Sequence, residues 1–454
     1  VNKAARVIGI ALILLSCQTR LTHALPAFAR QTGQPCVTCH IGAFGPQLTP
    51  FGRAFKLGGY TQTGGDGPGA NIPLSAFALG SFTHTATAQP GPAAVDFGGN
   101  DNFALDQISV FLAGRVNDHV GGFVQGTWSG ITRAFQLDNT DIRVTEPLTV
   151  GDSALLIGAS LNNGPTVQDP FNTTFAWGFP YASSALAPVP TAQPLLAGGM
   201  IGNTMGLTSY LWYDRRLFLE AGAYGTYGPT LLSAAGRALG PGGTRTPAPY
   251  VRAAYQWDWA EQSAYAGALF LLADFNPATS AFTASGALGH NQYTDYAIDG
   301  GYQFLGDGTW VATAQAIFVH ENQSLSGSFN TGNSSLVAGA LGQVRANATL
   351  YYVNTYGLTL GWQYTWGKPN PAMFPSAPVS GSANGKPNSN AFIIEADWIP
   401  FGKEDSWARP FANMKIGVQL VAYTMFNGGS RNYDGFGHNA SDNDTLYIYL
   451  WTAF

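Results

Sequence analysis

Charge is scarce in this 454-residue chain: Asp, Glu, Lys and Arg together make up 10% of it, against about 25% in ordinary soluble domains. That shortage argues against a string of conventional soluble domains, although the length alone would suit two to four of them. Past the N-terminus the chain also lacks any run of about 18 apolar residues, which excludes a spanning helix. Basic residues are not in excess, and with a formal net charge of −5 the electrostatic footprint of a nucleic-acid binder is missing. What is plentiful is glycine, 57 residues, and aromatic side chains, 13% of the total. Mean hydropathy is nevertheless close to zero. Membrane β-barrels have this composition, because lipid-facing and lumen-facing residues alternate along each strand and the average cancels.

Residues 1–24 read as an export signal. Lys3 and Arg6 give the positive start, Val7 to Leu15 the apolar core, and Thr22-His23-Ala24 a small-residue cleavage site. The alternative is a lipoprotein site at Cys17. Cleavage after Ala24 leaves two cysteines in the mature chain, Cys36 and Cys39.

Those two lie in Cys36-Val37-Thr38-Cys39-His40, the spacing of covalent haem c attachment. In that chemistry two thiols bond the vinyl groups and the next residue, here His40, ligates the iron. A redox disulfide or half a zinc site are the alternatives. A zinc site needs a second ligand pair, and a thioredoxin-type pair belongs beside a βαβ pattern. Neither follows in the sequence.

The motif is framed by Phe28-Ala29-Arg30-Gln31-Thr32-Gly33 before it and by Leu48-Thr49-Pro50-Phe51-Gly52-Arg53-Ala54-Phe55-Lys56-Leu57-Gly58-Gly59-Tyr60 after it. Over about 35 residues this stretch resembles the N-terminal haem segment of the fused outer-membrane cytochrome–porins associated with iron-oxidising bacteria. The resemblance implies one covalent haem held by Cys36, Cys39 and His40, an extracellular electron donor with Fe(II) foremost, and a periplasmic c-type cytochrome as acceptor. A segment from residue 25 to 60 is too short to enclose a haem with a core of its own. It is expected to pack inside the barrel, whose wall then completes the pocket.

Residues 61–70 form a Gly-rich linker, and from residue 71 to 454 alternating segments recur. In Gln107 to Val116, Ile108, Val110, Leu112 and Val116 share one face while Gln107, Ser109 and Arg115 share the other, as in a strand with one apolar side. Short turns are expected near Asn117–His119, Val150–Ser153, Tyr213–Arg216, Asp258–Ser263, Leu305–Thr309, Asn354–Tyr356 and Phe401–Arg409. Longer loops rich in Pro, Gly, Ser and Asn fall between them, among them Asn163 to Leu196 and Gly367 to Asn390. Seven short turns, with both chain ends on their side, give about 16 strands. The expected fold is therefore an all-β, transmembrane antiparallel barrel in the outer membrane, in contact with its lipid, with a short N-terminal haem-binding plug. A secreted β-sandwich or propeller is the alternative, but no blade repeat is present.

The sixth iron ligand is harder to place. No methionine precedes Met200, so the haem segment cannot supply one. His84 is the nearest histidine beyond the linker, and it points at the plug if the even positions of its strand face inward. Lys56, or an open five-coordinate iron, are the alternatives. No catalytic acid, base or nucleophile is called for. The expected activity is one-electron transfer across the outer membrane, with outward electron flow or a solute porin with a haem-bearing plug as alternatives.

Overall fold

The computed structural model describes residues 27–64, 72–198, 200, 202–236, 243–276 and 289–454. The expected signal segment and most of the Gly-rich linker lie outside the described residues. Sixteen antiparallel strands close into one barrel, each bonded to its sequence neighbours and the last to the first. They are β1 Leu74–Thr85, β2 Asn102–Arg115, β3 Val120–Ser129, β4 Ala134–Val150, β5 Ser153–Asn162, β6 Thr204–Tyr213, β7 Leu217–Thr226 and β8 Ala248–Trp259. The second half holds β9 Gln262–Phe275, β10 Asn291–Phe304, β11 Trp310–Ser324, β12 Ala338–Tyr352, β13 Tyr356–Gly367, β14 Ser389–Trp398, β15 Asn413–Met425 and β16 Thr445–Ala453. Closure runs from Phe77 opposite Ala453 to Thr85 opposite Thr445.

The alternation read from β2 is realised in space. Ile108, Val110 and Leu112 are 42%, 53% and 56% exposed, whereas Ser109, Phe111 and Ala113 between them are buried. Leu358, Leu360, Ile394 and Leu420 repeat the outward pattern on other strands. Each such side chain left in water forgoes about 1.5–3 kcal/mol of burial, so this exterior calls for a lipid surround. At the strand ends next to the short turns, Trp257, Trp259, Trp310, Tyr352, Tyr356 and Trp398 point outward, the girdle that marks a membrane–water boundary. Among the described residues no helix is long and apolar enough to cross a membrane. The crossing is made by strands.

The first six expected short turns fall where the spacing put them, each joining two consecutive strands. The seventh is longer: β14 ends at Trp398 and β15 starts at Asn413. The extra chain leans on the N-terminal segment, where Arg409 donates to the carbonyl of Gly33 at 2.7 Å.

That N-terminal segment lies inside the barrel. Three short helices, α1 Ala27–Thr32, α2 Cys36–Cys39 and α3 Pro50–Leu57, pack on the inner wall. Ala27, Ile41, Ala43, Phe44, Phe55 and Tyr60 form one core with Phe77, Phe111, Phe123, Val311, Tyr351 and Ile399 of the barrel and its turns. A second insertion was expected to be an outer loop. Instead, the chain between β5 and β6 folds inward, and residues 163–174 are buried without exception.

Candidate functional site

The motif segment is fixed from its own backbone outward. The amide of His40 donates to the carbonyl of Cys36 at 2.9 Å, closing the single turn of α2, and that of Thr49 donates to the carbonyl of Cys39 at 2.9 Å. An isolated antiparallel bridge pairs His40 with Leu48. Thr49 then caps α3, its hydroxyl accepting from the amide of Gly52 at 3.1 Å, with Pro50 in the first turn, an arrangement suited to a helix start. Two glycines set the spacing. A Cβ on Gly52 would lie 2.3 Å from the Cys39 carbonyl oxygen, and Gly42, at φ +62°, would put one 2.2 Å from the Tyr351 ring. Gly52→Ala is expected to cost about 1–3 kcal/mol by forcing α3 off the motif. Limited proteolysis of the N-terminal segment in folded barrels checks this, with unchanged protection as the contrary result.

The residues flanking the motif turn out to be its anchors. Phe28 stacks on Tyr60, with centroids 5.2 Å apart, and meets Phe55 edge-on. Arg30 donates to the carbonyl of Leu74 at 2.5 Å, and Gln31 donates to those of Tyr60 and Gln62. Arg53 is fully buried, donating to Gln256 Oε1, Gln303 Oε1 and Ser263 Oγ at 3.0, 3.1 and 2.7 Å. These contacts tie α3 to β8, β9 and β10. Lys56 Nζ donates to the carbonyls of Val167 and Asp169 at 2.8 and 3.0 Å, 5.0 Å from the centre of the Trp177 ring. Tyr60 donates its hydroxyl to Asp141 Oδ2 at 2.8 Å.

The inward loop forms a ceiling over the plug. Arg252 donates to Asp169 Oδ1 at 2.6 Å and to Asp299 Oδ2, all three side chains fully buried. Asp169 also accepts from the amides of Phe171, Thr173 and Thr174, which folds the loop tip around its carboxylate. The loop then crosses to the far wall. There Arg345 donates to the carbonyl of Phe179, Gln419 donates to that of Ala182, and the Ser184 and Thr83 hydroxyls are 2.6 Å apart. On its return the amides of Leu195 and Leu196 donate to Glu321 and Asp295, each at 2.7 Å. Contacts from β1 to β15 place this segment across the whole lumen.

Between plug, wall and ceiling lies a cavity of about 380 Å³, within the size range of small-molecule sites. Cys36, Cys39 and His40 all line it. So do Phe28, Phe55 and Tyr60 of the plug, Phe77, Phe111, Phe123 and Trp451 of the wall, and Trp177 and Tyr181 of the ceiling. The two thiols are free of any disulfide. Burial raises both, Cys39 to about 12, and the same desolvation lowers the His40 imidazole to about 4, so its ring is neutral, as a metal ligand must be. His40 Nδ1 is buried, and the backbone at Gly45 opposes part of that desolvation by raising the imidazole. Two free thiols, a neutral imidazole and an aromatic enclosure fit a covalently held haem. Cys36 and Cys39 would carry it and His40 would ligate the iron.

His84 does not belong to this site. On β1 the odd positions face inward: Phe77, Leu79, Ser81 and Thr83 are buried. His84 therefore points outward, half-exposed, with Nδ1 2.7 Å from Asp101 Oδ1. Of the two parities left open for β1, the odd one meets the plug, because the plug presents apolar surface and the barrel meets it with Phe77, so the His84 candidate is corrected. Lys56 lines the cavity, whereas no methionine and no second histidine does among the described residues. A second cavity, of about 490 Å³, lies at the short-turn end and shares His40 with the first.

No family model and no curated protein matches the chain. Solved structures of similar shape are the outer membrane channel DcaP of Acinetobacter baumannii, at 12% identity over 84% of this chain and 96% of that one with a TM-score of 0.44, and the anion-selective porin from Comamonas acidovorans, at 10% identity over 84% and 98% with a TM-score of 0.43. A third is OmpF of Salmonella typhi in complex with daunomycin, at 11% identity over 84% and 97% with a TM-score of 0.44. The sixteen-stranded closed barrel rests on the chain's own strand pairing and not on these likenesses.

Proposed function

We propose that this chain is an outer-membrane electron-transfer protein that carries one haem c on Cys36 and Cys39, with His40 as iron ligand. It accepts one electron at a time from an extracellular donor, Fe(II) foremost, and delivers it to a periplasmic c-type cytochrome. The reading rests on one observation: Cys36, Cys39 and His40 meet in a single aromatic-walled cavity inside the barrel. A haem held there supplies a one-electron centre between the two faces of a hydrocarbon layer about 30 Å thick.

The residues around the site have separate tasks in this scheme. Phe28, Phe55, Tyr60 and Phe111 keep water from the macrocycle, and low polarity around a haem is one determinant of its potential. Arg53 and Lys56 hold α3 to the wall and ceiling, so the thiols and imidazole keep their relative placement. The iron-oxidiser resemblance of residues 28–60 supports Fe(II) as donor.

A visible spectrum of detergent-purified protein, before and after addition of Fe(II), tests the proposal. A reduced c-type band that develops with Fe(II) is the expected result. A band that develops only with dithionite would remove iron as donor and favour outward flow, and the lack of any haem band would overturn the reading. The porin-like barrel favours a second reading, a solute porin with a haem-bearing plug. Conductance separates the two, since a solute porin needs an open lumen.

A further inference from the structure

The second cavity gives the motif a face toward the short-turn end. His40 lines it together with Val37, Pro50 and Phe51, and these three apolar residues are half-buried. Its wall includes the turns after β8, β10 and β12. Beside those turns stand Asp258, near the end of β8 with its Oδ2 accepting from Gln256 Nε2 at 2.5 Å, and Glu261 and Asp307 in the turns themselves, all exposed. Asp258 lines the opening, and Asp307 stands between the lining residues Leu305 and Gly308. The amide of Leu305 donates to the carbonyl of Glu261 at 2.7 Å, which brings the two turns side by side. No lysine or arginine lines the opening. The turn after β6 carries Arg215 and Arg216, and Arg216 Nε lies 3.7 Å from Asp214.

An apolar centre with a charged rim is the layout of a protein-docking patch, and a rim of one sign selects a partner of the other. We propose that this mouth is the docking face for a small basic redox protein. Its lysine or arginine side chains meet Asp258, Glu261 and Asp307 while its apolar surface covers Val37, Pro50 and Phe51. The role of this contact rests on the electron-transfer reading: one electron passes to the partner's oxidised centre as the centre beside His40 is oxidised, and no bond forms or breaks. Partner choice thus resides in three exposed carboxylates at the strand ends and turns around this mouth.

The test is binding of the full-length chain in detergent to a lysine-rich c-type cytochrome, used native and with its lysines acetylated, at about 20 mM and about 500 mM salt. The native probe is expected to bind at low salt and to lose affinity at high salt or on acetylation. The triple substitution Asp258→Asn, Glu261→Gln, Asp307→Asn is expected to weaken low-salt binding about tenfold. Asp101→Asn on the opposite rim should leave it unchanged. Equal binding of native and acetylated probes, a triple variant that binds as before, or no binding at all would overturn the docking face. The visible spectrum of the same samples reports on the haem independently, so docking without a haem band would sink the electron-transfer reading alone.

Discussion

Replacing Cys36 and Cys39 together by serine is expected to take covalent haem, read as peroxidase staining on a denaturing gel, from one per chain to none. The barrel itself should survive. Neither thiol contributes to the strand ladder, and the plug is held by Arg30, Arg53, Lys56 and Tyr60, whose partners lie on the wall and ceiling. The variant should therefore still migrate as a heat-modifiable barrel. His40→Ala separates the two roles of the motif. The thiols remain to be alkylated by the vinyl groups, so staining persists, while the visible bands shift because the proximal ligand is gone. Staining that persists in the double-serine variant would show that attachment does not use this motif, and the proposed function would fall with it.

Arg252→Ala is expected to open the lumen. The guanidinium holds two buried carboxylates at once, Asp169 on the ceiling and Asp299 on β10. Removing one partner of a buried ion pair costs about 3–5 kcal/mol, because the other charge is left without compensation. Here two carboxylates would be stranded. The least costly relief is for the segment around Asp169 to leave the wall and take its carboxylate to water. That also frees the carbonyls of Val167 and Asp169 that hold Lys56. In planar bilayers the wild-type chain should conduct far less than an open sixteen-stranded porin, and the variant several-fold more than the wild type. A wild-type barrel that already conducts like an open porin would refute the closed lumen and strengthen the solute-porin reading.

How much of this could be read in advance depends on the range of the forces involved. Strands such as β2 announce themselves because alternation is local: Ile108, Val110 and Leu112 need lipid and Ser109 does not, whatever lies elsewhere. Short turns are equally local, and six of seven fell where their spacing put them. The inner face of β1 stayed open in the sequence, because the strand's own residues do not say which parity meets the plug. Phe77, Phe111 and Phe123 face inward, because the plug brings apolar surface to them. That depends on a segment dozens of residues away, so the strand alone could not settle the side of His84, which faces away from the plug. The ceiling was missed for a related reason. Residues 163–196 look like any Pro- and Gly-rich outer loop until Asp169 is known to meet Arg252, 83 positions later. Buried charge was the available clue, and a sequence does not say which charges are buried. The flanking anchors were visible only as a family pattern. Arg53, Lys56 and Tyr60 were noticed as letters, and their work of pinning α3 to the barrel emerged from the contacts.

The segment that spans the lumen between β5 and β6 has a consequence for the cell as well as for the molecule. A sixteen-stranded barrel left open is a hole in the envelope, and every added copy would let in more of the small toxic solutes that the outer layer keeps out. With the interior crossed from β1 to β15 and floored by the N-terminal helices, abundance is expected to be uncoupled from leakage. In the proposed electron-transfer role, such a barrel could be made in large numbers to raise electron flux per cell without the leakage of an open one.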